Sequence, residues 1–302
     1  MSSYREATAR QRVAAIFDAG SFEEFLPPSE RVVSPHLAQL DVPVSFDDGV
    51  VVGRARLDGE PVFGAAQEGG FMGGSVGEVH GAKLVGMLRR AIDEQAYAVL
   101  LLLESGGVRL HEANAGLIAV SEVMRALLDV RAAGIPVVVA VGGANGCFGG
   151  MGIVARCANT VIMSEEGRLA MSGPEVIETA AGVEEFDARD RALVWRTTGG
   201  KHRYLLGDCQ ALVEDEPQAF RRAAIAAMRA ARGGEVRLTL AGLLAEQAML
   251  ARRLDVAEGL GEPMQLWSRL GVPEPAGVPL LEAEDFLEMA ARHRATTDDG
   301  AR

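Results

Sequence analysis

Two short runs of the chain are apolar at every position rather than at alternate ones: Tyr97–Leu103 and Pro136–Val141. A strand with no polar face is buried on both sides, as in a parallel sheet covered by helices. Alternating runs at Val50–Leu57 and Pro61–Ala66 flank Asp58-Gly59, the signature of a hairpin. Helical spacing gives Leu84, Met87, Leu88 and Ala91 one buried face, and predicts a second helix over roughly His111–Ala133. It predicts further helices at Met151–Cys157, Pro217–Arg232, Leu238–Leu254 and Glu282–Arg292. Short strands are expected at Thr160–Met163 and Arg168–Met171, before a helix that starts at Gly173-Pro174. Tyr4–Ala19 reads as a charged helix, Ser21–Phe25 as a further helical turn, and Pro27–Pro43 as an extended link. Trp195–Arg203 (WRTTGGKHR) reads as a basic loop, and the end of the chain as a loose polar tail.

Strands alternating with helices imply an α/β architecture built from recurring β-β-α units. The pattern divides the chain into a helical arm (residues 1–45), a core (46–215) and a helical C-terminal region (216–302) that packs on the core or on a partner. Of the 302 residues, 36 are glycine, well above the usual share of about 7%. They cluster where strands end, as backbone devices. The net charge of −12 argues against nucleic acid and against an anionic membrane surface. Cys147, Cys157 and Cys209 form no CxxC pair, which fits a reducing cytoplasm. The opening residues carry Arg5, Glu6, Arg10 and Arg12, unlike a signal peptide, and no apolar run approaches the roughly 20 residues of a membrane span.

The chemistry concentrates at two turns. Tyr97–Leu103 breaks into Glu104-Ser105-Gly106-Gly107-Val108-Arg109, and Pro136–Val141 opens through Gly142, Gly143, Gly146, Gly149 and Gly150 into a helix. Two strand ends with such turns can converge backbone N–H groups on one negative oxygen. The candidate donors are Gly107, Val108, Gly149 and Gly150; the alternative is tight turns alone. Gly73-Gly74-Ser75-Val76-Gly77 matches the elbow of a serine hydrolase, although no strand runs directly into it. Gly150–Ala155 imitates a dinucleotide fingerprint at the wrong distance from its strand. His80 and His111 are candidate proton carriers or loop supports. Arg109 is either a steering cation or the partner of a glutamate bracing the loop. Arg196, Lys201, His202 and Arg203 are candidates for phosphate contacts or an ordinary solvated face. No spacing suggests a metal site.

Together, GGFMGGSVGEVHGAK (Gly69–Lys83), ESGGVRLHE (Glu104–Glu112), NGCFGG (Asn145–Gly150) and MSEEGRLAMSGPE (Met163–Glu175) resemble the carboxyltransferase branch of the crotonase superfamily. WRTTGGKHR narrows the resemblance to the β subunits of malonate decarboxylase. The resemblance implies a crotonase-like spiral of β-β-α units and decarboxylation of a malonyl thioester carried on an acyl carrier protein, without biotin. Candidate substrate contacts are Gly73, Gly74, Ser75, His80, Arg109, His111, Lys201 and Arg203. The resemblance further implies no cofactor held by this chain, the prosthetic group of the carrier resembling CoA. The implied partners are a γ subunit, the acyl carrier protein subunit and the acyl carrier protein transferase (α) subunit. A carboxyltransferase that passes CO₂ to biotin, a serine hydrolase using Ser75 and a non-catalytic assembly subunit are the alternatives.

Overall fold

A computed structural model describes residues 3–294. The far end of the polar tail lies outside the described residues. In chain order the elements are α1 (Ala9–Ile16), β1 (Glu23–Phe25), β2 (Val50–Leu57), β3 (Glu60–Gln67), α2 (Glu78–Asp93), β4 (Ala98–Leu103), α3 (Asn114–Ala132), β5 (Val137–Val141) and α4 (Gly149–Arg156). They continue with β6 (Thr160–Ser164), α5 (Pro174–Ala181), α6 (Arg191–Thr198), α7 (Gly200–Leu205), β7 (Ala211–Val213), α8 (Pro217–Arg232), α9 (Leu240–Ala257), α10 (Pro263–Arg269) and α11 (Ala283–Ala290).

The seven strands form one sheet in sequence order, antiparallel from β1 to β3 and parallel from β3 to β7. Both apolar runs are interior strands. In β4, Val99, Leu101 and Leu103 enter one hydrophobic cluster, with α2, α3 and α4, while Ala98, Leu100 and Leu102 enter the other. The second cluster is roofed by α1 and α8 through Val13, Ile16, Phe220 and Met228. This explains the loss of alternation in the sequence: neither face of the strand meets water.

Beyond each parallel strand the chain makes a single-residue bridge to the next turn: Val76 to Val108, Ser105 to Cys147, Cys147 to Leu169 and Arg168 to Gly199. The second β of each β-β-α unit is therefore one residue long, and the bridges step the chain round a spiral. Arg168–Met171, expected as a strand, consists only of such bridges. Two other expectations fail. Ser21–Phe25 holds a strand rather than a helical turn, because Glu23–Phe25 pairs with Val52–Arg54 and adds an edge to the sheet. WRTTGGKHR is not a loop but the junction of α6 and α7.

Helices α2 and α3 pack against each other with Gly81 facing Ala119. A Cβ at Gly81 would lie 2.6 Å from the Ala119 Cβ. Gly81→Val is expected to force the pair apart and lower stability by about 1–3 kcal/mol, the usual cost of overpacking, read from urea unfolding.

Candidate active site

Parallel pairing of Leu103 with Val141 brings the ends of β4 and β5 to one level. Immediately beyond, Ser105 N–H donates to Gly146 O at 2.8 Å, and Phe148 N–H donates to Ser105 O at 2.8 Å. A third segment joins them: Gly106 N–H donates to Gly73 O (2.8 Å), Val76 N–H to Gly107 O (2.9 Å) and Arg109 N–H to Val76 O (2.9 Å). Gly107 (φ +120°) and Gly149 (φ +59°) take conformations that side chains disfavour. They also touch: a Cβ at Gly149 would sit 3.1 Å from the Gly107 Cα.

The four candidate amides then separate into two kinds. Gly107 N–H donates to Ser105 Oγ at 3.1 Å, and Gly149 N–H to Met171 O at 2.9 Å. Both are occupied within the chain, which corrects their assignment as donors to a substrate; they shape the turns instead. Among the described residues the N–H groups of Val108 and Gly150 make no hydrogen bond, and both residues are only half-buried. Gly150 lies in the first turn of α4, where N–H groups have no intrahelical partner and the helix dipole is positive. Two unengaged donors on touching turns can, chemically, bind a negative oxygen.

The charged candidates are engaged elsewhere. Arg109 is fully buried; its Nη1 donates to Asp48 Oδ2 (2.9 Å) and Glu112 Oε1 (2.8 Å), and its Nη2 to the carbonyls of Asp48 (3.3 Å) and Ser75 (3.2 Å). Burial raises the Asp48 carboxyl above its ordinary range despite Arg109. For Glu112 burial is outweighed by the Glu78 N–H and Arg109, which hold it below its ordinary range. Arg109 thus braces the loop; its Nε finds no partner among the described residues, but the whole side chain is shut away from solvent and from any substrate. His80 is fully buried, with Nδ1 on Asp48 O (3.1 Å) and Nε2 on Gln67 Nε2 (3.1 Å), and burial pushes its pKa down to about 3. It is a neutral loop support rather than a substrate contact.

Ser75 Oγ donates to Met72 O at 2.7 Å and, among the described residues, hydrogen-bonds to no histidine or carboxylate that could act as its base. Gly73 and Gly74 form the turn just before it, Gly74 packed against the Glu104 carbonyl. His111 is exposed beyond Arg109. Lys201 and Arg203 are also corrections. Lys201 Nζ is bound by Glu165 (2.8 Å) and the carbonyls of Pro279 (3.1 Å) and Leu281 (2.6 Å), and Arg203 by Asp208 (3.1 Å) and Thr197 O (3.1 Å). They pin the C-terminal region and the β7 approach rather than await phosphates. His202 accepts from Trp267 Nε1 at 3.1 Å, and its pKa is likewise pushed down to about 3 by burial.

His36, Glu78 and Glu112 bring ligand atoms within 4.8 Å of one another. His36 Nε2 lies 2.6 Å from Glu78 Oε2 and Glu112 is held by Arg109, so the trio satisfies itself. Asp48 and Arg12, the partners of Arg109 and Glu104, were missed by sequence reasoning. Neither lies near its partner in the chain, and no local pattern marks them. Leu110, Leu117, Ile118 and Met171 are exposed apolar residues on the segments that adjoin the two turns.

Comparison with known proteins gives a consistent picture. Residues 4–223 match the carboxyl transferase domain family. The chain is 41% identical over 97% of its length to a malonyl-S-ACP:biotin-protein carboxyltransferase of Malonomonas rubra, covering 97% of that protein. It is 29% identical over 72% of its length to the methylmalonyl-CoA carboxyltransferase 12S subunit of Propionibacterium freudenreichii, spanning 39% of it. In structure it resembles a chain of a Pseudomonas malonate decarboxylase hetero-tetramer solved with malonate: TM-score 0.80, 40% identity, 93% of this chain and 98% of that one. It also resembles a chain of the Pseudomonas MdcD-MdcE hetero-dimer at TM-score 0.62 and 40% identity, over 76% of this chain and 88% of that one.

Two outcomes are expected from the buried charges. Arg109→Met would leave the Asp48 and Glu112 carboxylates without their cation, at a cost of about 3–5 kcal/mol in urea unfolding. In the unfolded chain His80 takes up a proton below about pH 6.5, whereas the folded ring stays neutral down to about pH 3. Its contribution to stability is therefore present above pH 6.5 and is lost as pH falls towards 3. His80→Gln should reduce the loss of stability between pH 6 and pH 4 by about 1.4 kcal/mol per pH unit. An equally steep loss in the variant would refute the neutral assignment.

Proposed function

The chain belongs to the carboxyl transferase family, and from that premise we propose that it decarboxylates a malonyl thioester carried on an acyl carrier protein, without biotin. The observation that carries the reading is the pair of unengaged N–H groups, Val108 and Gly150, on touching turns. Heterolysis of the bond between the α-carbon and the carboxylate releases CO₂ and leaves its electron pair on the thioester as an enolate. The charge then gathers on the thioester oxygen, where the two amides sit. An amide aimed at a developing oxyanion supplies about 3 kcal/mol each. The enolate regains a proton at carbon to give the acetyl thioester. No metal and no cofactor held by this chain enter that step; the CoA-like prosthetic group comes with the carrier protein.

The free amides lie at an open rim, and such a reaction proceeds best where water is excluded. A partner chain over Leu110, Leu117, Ile118 and Met171 would close the site, in keeping with the hetero-dimer and hetero-tetramer of the Pseudomonas proteins. We assign that position to a γ subunit, with acyl carrier protein and transferase subunits completing the complex. A second reading has direct support: the Malonomonas rubra relative is named as a carboxyltransferase to biotin protein. There the same heterolysis passes CO₂ to biotin.

CO₂ release from malonyl thioester, with the chain alone and with its co-purifying partner and no biotin, separates the two. Release that needs only the partner supports the proposal; release that begins only when biotinyl protein is added replaces it with the second reading. Proline at position 150 removes one N–H in the first helical turn, where proline is tolerated. Because a side chain there meets Val120, Gly150→Pro is made in a Val120→Ala parent. Relative to that parent, kcat should fall by about 10²–10³, and an unchanged kcat would remove Gly150 from the site.

A further inference from the structure

Glu104 is the last residue before the Ser105-Gly106-Gly107 turn, and it is 4% exposed. Its N–H donates to Gln67 Oε1 on β3 at 3.1 Å. Its carboxylate reaches across to the loop that follows β5, where Oε1 accepts the Asn145 N–H at 2.9 Å, and Oε2 pairs with Arg12 of α1. A Cβ at Gly69 or Gly143 would collide with this carboxylate, which is thus wedged between the loops that follow β3 and β5. Arg12 is itself 1% exposed; its Nε donates to Tyr4 O at 3.1 Å, and Tyr4 stacks on Phe220 of α8 at 3.9 Å.

One carboxylate therefore spans both turns that carry the free amides, and is anchored to the N-terminal helix behind them. Glu104 precedes Val108 on one turn, and its acceptor bond to Asn145 holds the other turn ahead of Gly150. We infer that Glu104 is a positioning residue: clamped by Arg12, it sets the separation of the Val108 and Gly150 N–H groups. This rests on the enolate reading of those amides. Its effect belongs in kcat rather than KM, because a misplaced donor loses the transition state while leaving the bulk of substrate binding intact.

The test compares Glu104→Gln with the double variant Arg12→Met/Glu104→Gln, each assayed as the complex with its co-purifying partner. The single variant leaves a buried guanidinium without its carboxylate, so both stability and rate should fall. The double variant removes that cation, so Tm should recover. If Glu104 positions the amides, kcat stays down about 100-fold in the double variant, the usual consequence of an ångström of misplacement, with KM little changed. If the carboxylate only neutralises Arg12, kcat returns together with Tm, and the inference is overturned. Glu104→Asp serves where either variant fails to fold, since it retains the charge but draws the carboxylate back from Asn145. Lowered kcat at wild-type Tm supports the clamp, and wild-type kcat overturns it. Hydrogen exchange in peptides covering residues 105–110 and 145–151 separates this inference from the proposed reaction. Faster exchange confined to those peptides upholds the clamp even if the wild type releases no CO₂, whereas unaltered exchange rejects it.

Discussion

Everything at the site depends on the parallel pairing of β4 with β5. Parallel strands run out of the sheet on the same edge, and the register of Leu103 against Val141 makes these two run out together. A strand buried on both faces has no water to satisfy the groups beyond its end, so each emerging turn must find partners for its N–H and C=O in its neighbours. The bridges from Ser105 to Cys147 and from Val76 to Val108 do this, one residue at a time. The N–H groups of Val108 and Gly150 are left over from that accounting. Gly150 is free because it lies in the first turn of α4, where an N–H has no intrahelical acceptor, and Val108 because no acceptor among the described residues meets its N–H.

Glycines allow the turns to touch, but glycine turns do not hold themselves in place. The stiffness comes from buried ions. Arg109 ties Asp48, Glu112 and the carbonyl of Ser75 beneath one turn, and Arg12 ties Glu104 behind both. Buried ion pairs of this kind add little net stability over an apolar packing, yet they are costly to break. That asymmetry suits a site in which backbone groups do the chemistry: the side chains are spent on geometry, and a lost partner is penalised.

Much of the architecture was legible in the sequence. The hairpin at Asp58-Gly59, the buried runs that became β4 and β5, and the helix from Pro217 to Arg232 follow from periodicity and turn chemistry alone. The edge strand Glu23–Phe25 was not, because three residues of mixed polarity carry no period and pair only because β2 offers an open edge. The convergence of the two glycine turns was readable from the pattern of strand ends. Which of their amides remain free was not, since that depends on acceptors as distant as Met171.

The basic residues show the limit most clearly. Lys201 and Arg203 lie in a segment whose composition suits an anion, and Arg109 lies beside a glycine turn whose amides suit a negative oxygen. A sequence records such charges but not their partners, and each of these cations is already answered by carboxylates and carbonyls from remote elements. An oxyanion site built on amides has a reason to keep formal charge behind it. A mobile guanidinium in the pocket would bind the substrate carboxylate and stabilise the ground state that must lose it, whereas fixed N–H dipoles act on the oxygen only as charge arrives there. Cations confined to the scaffold and bare backbone at the surface of the turns are two sides of the same arrangement.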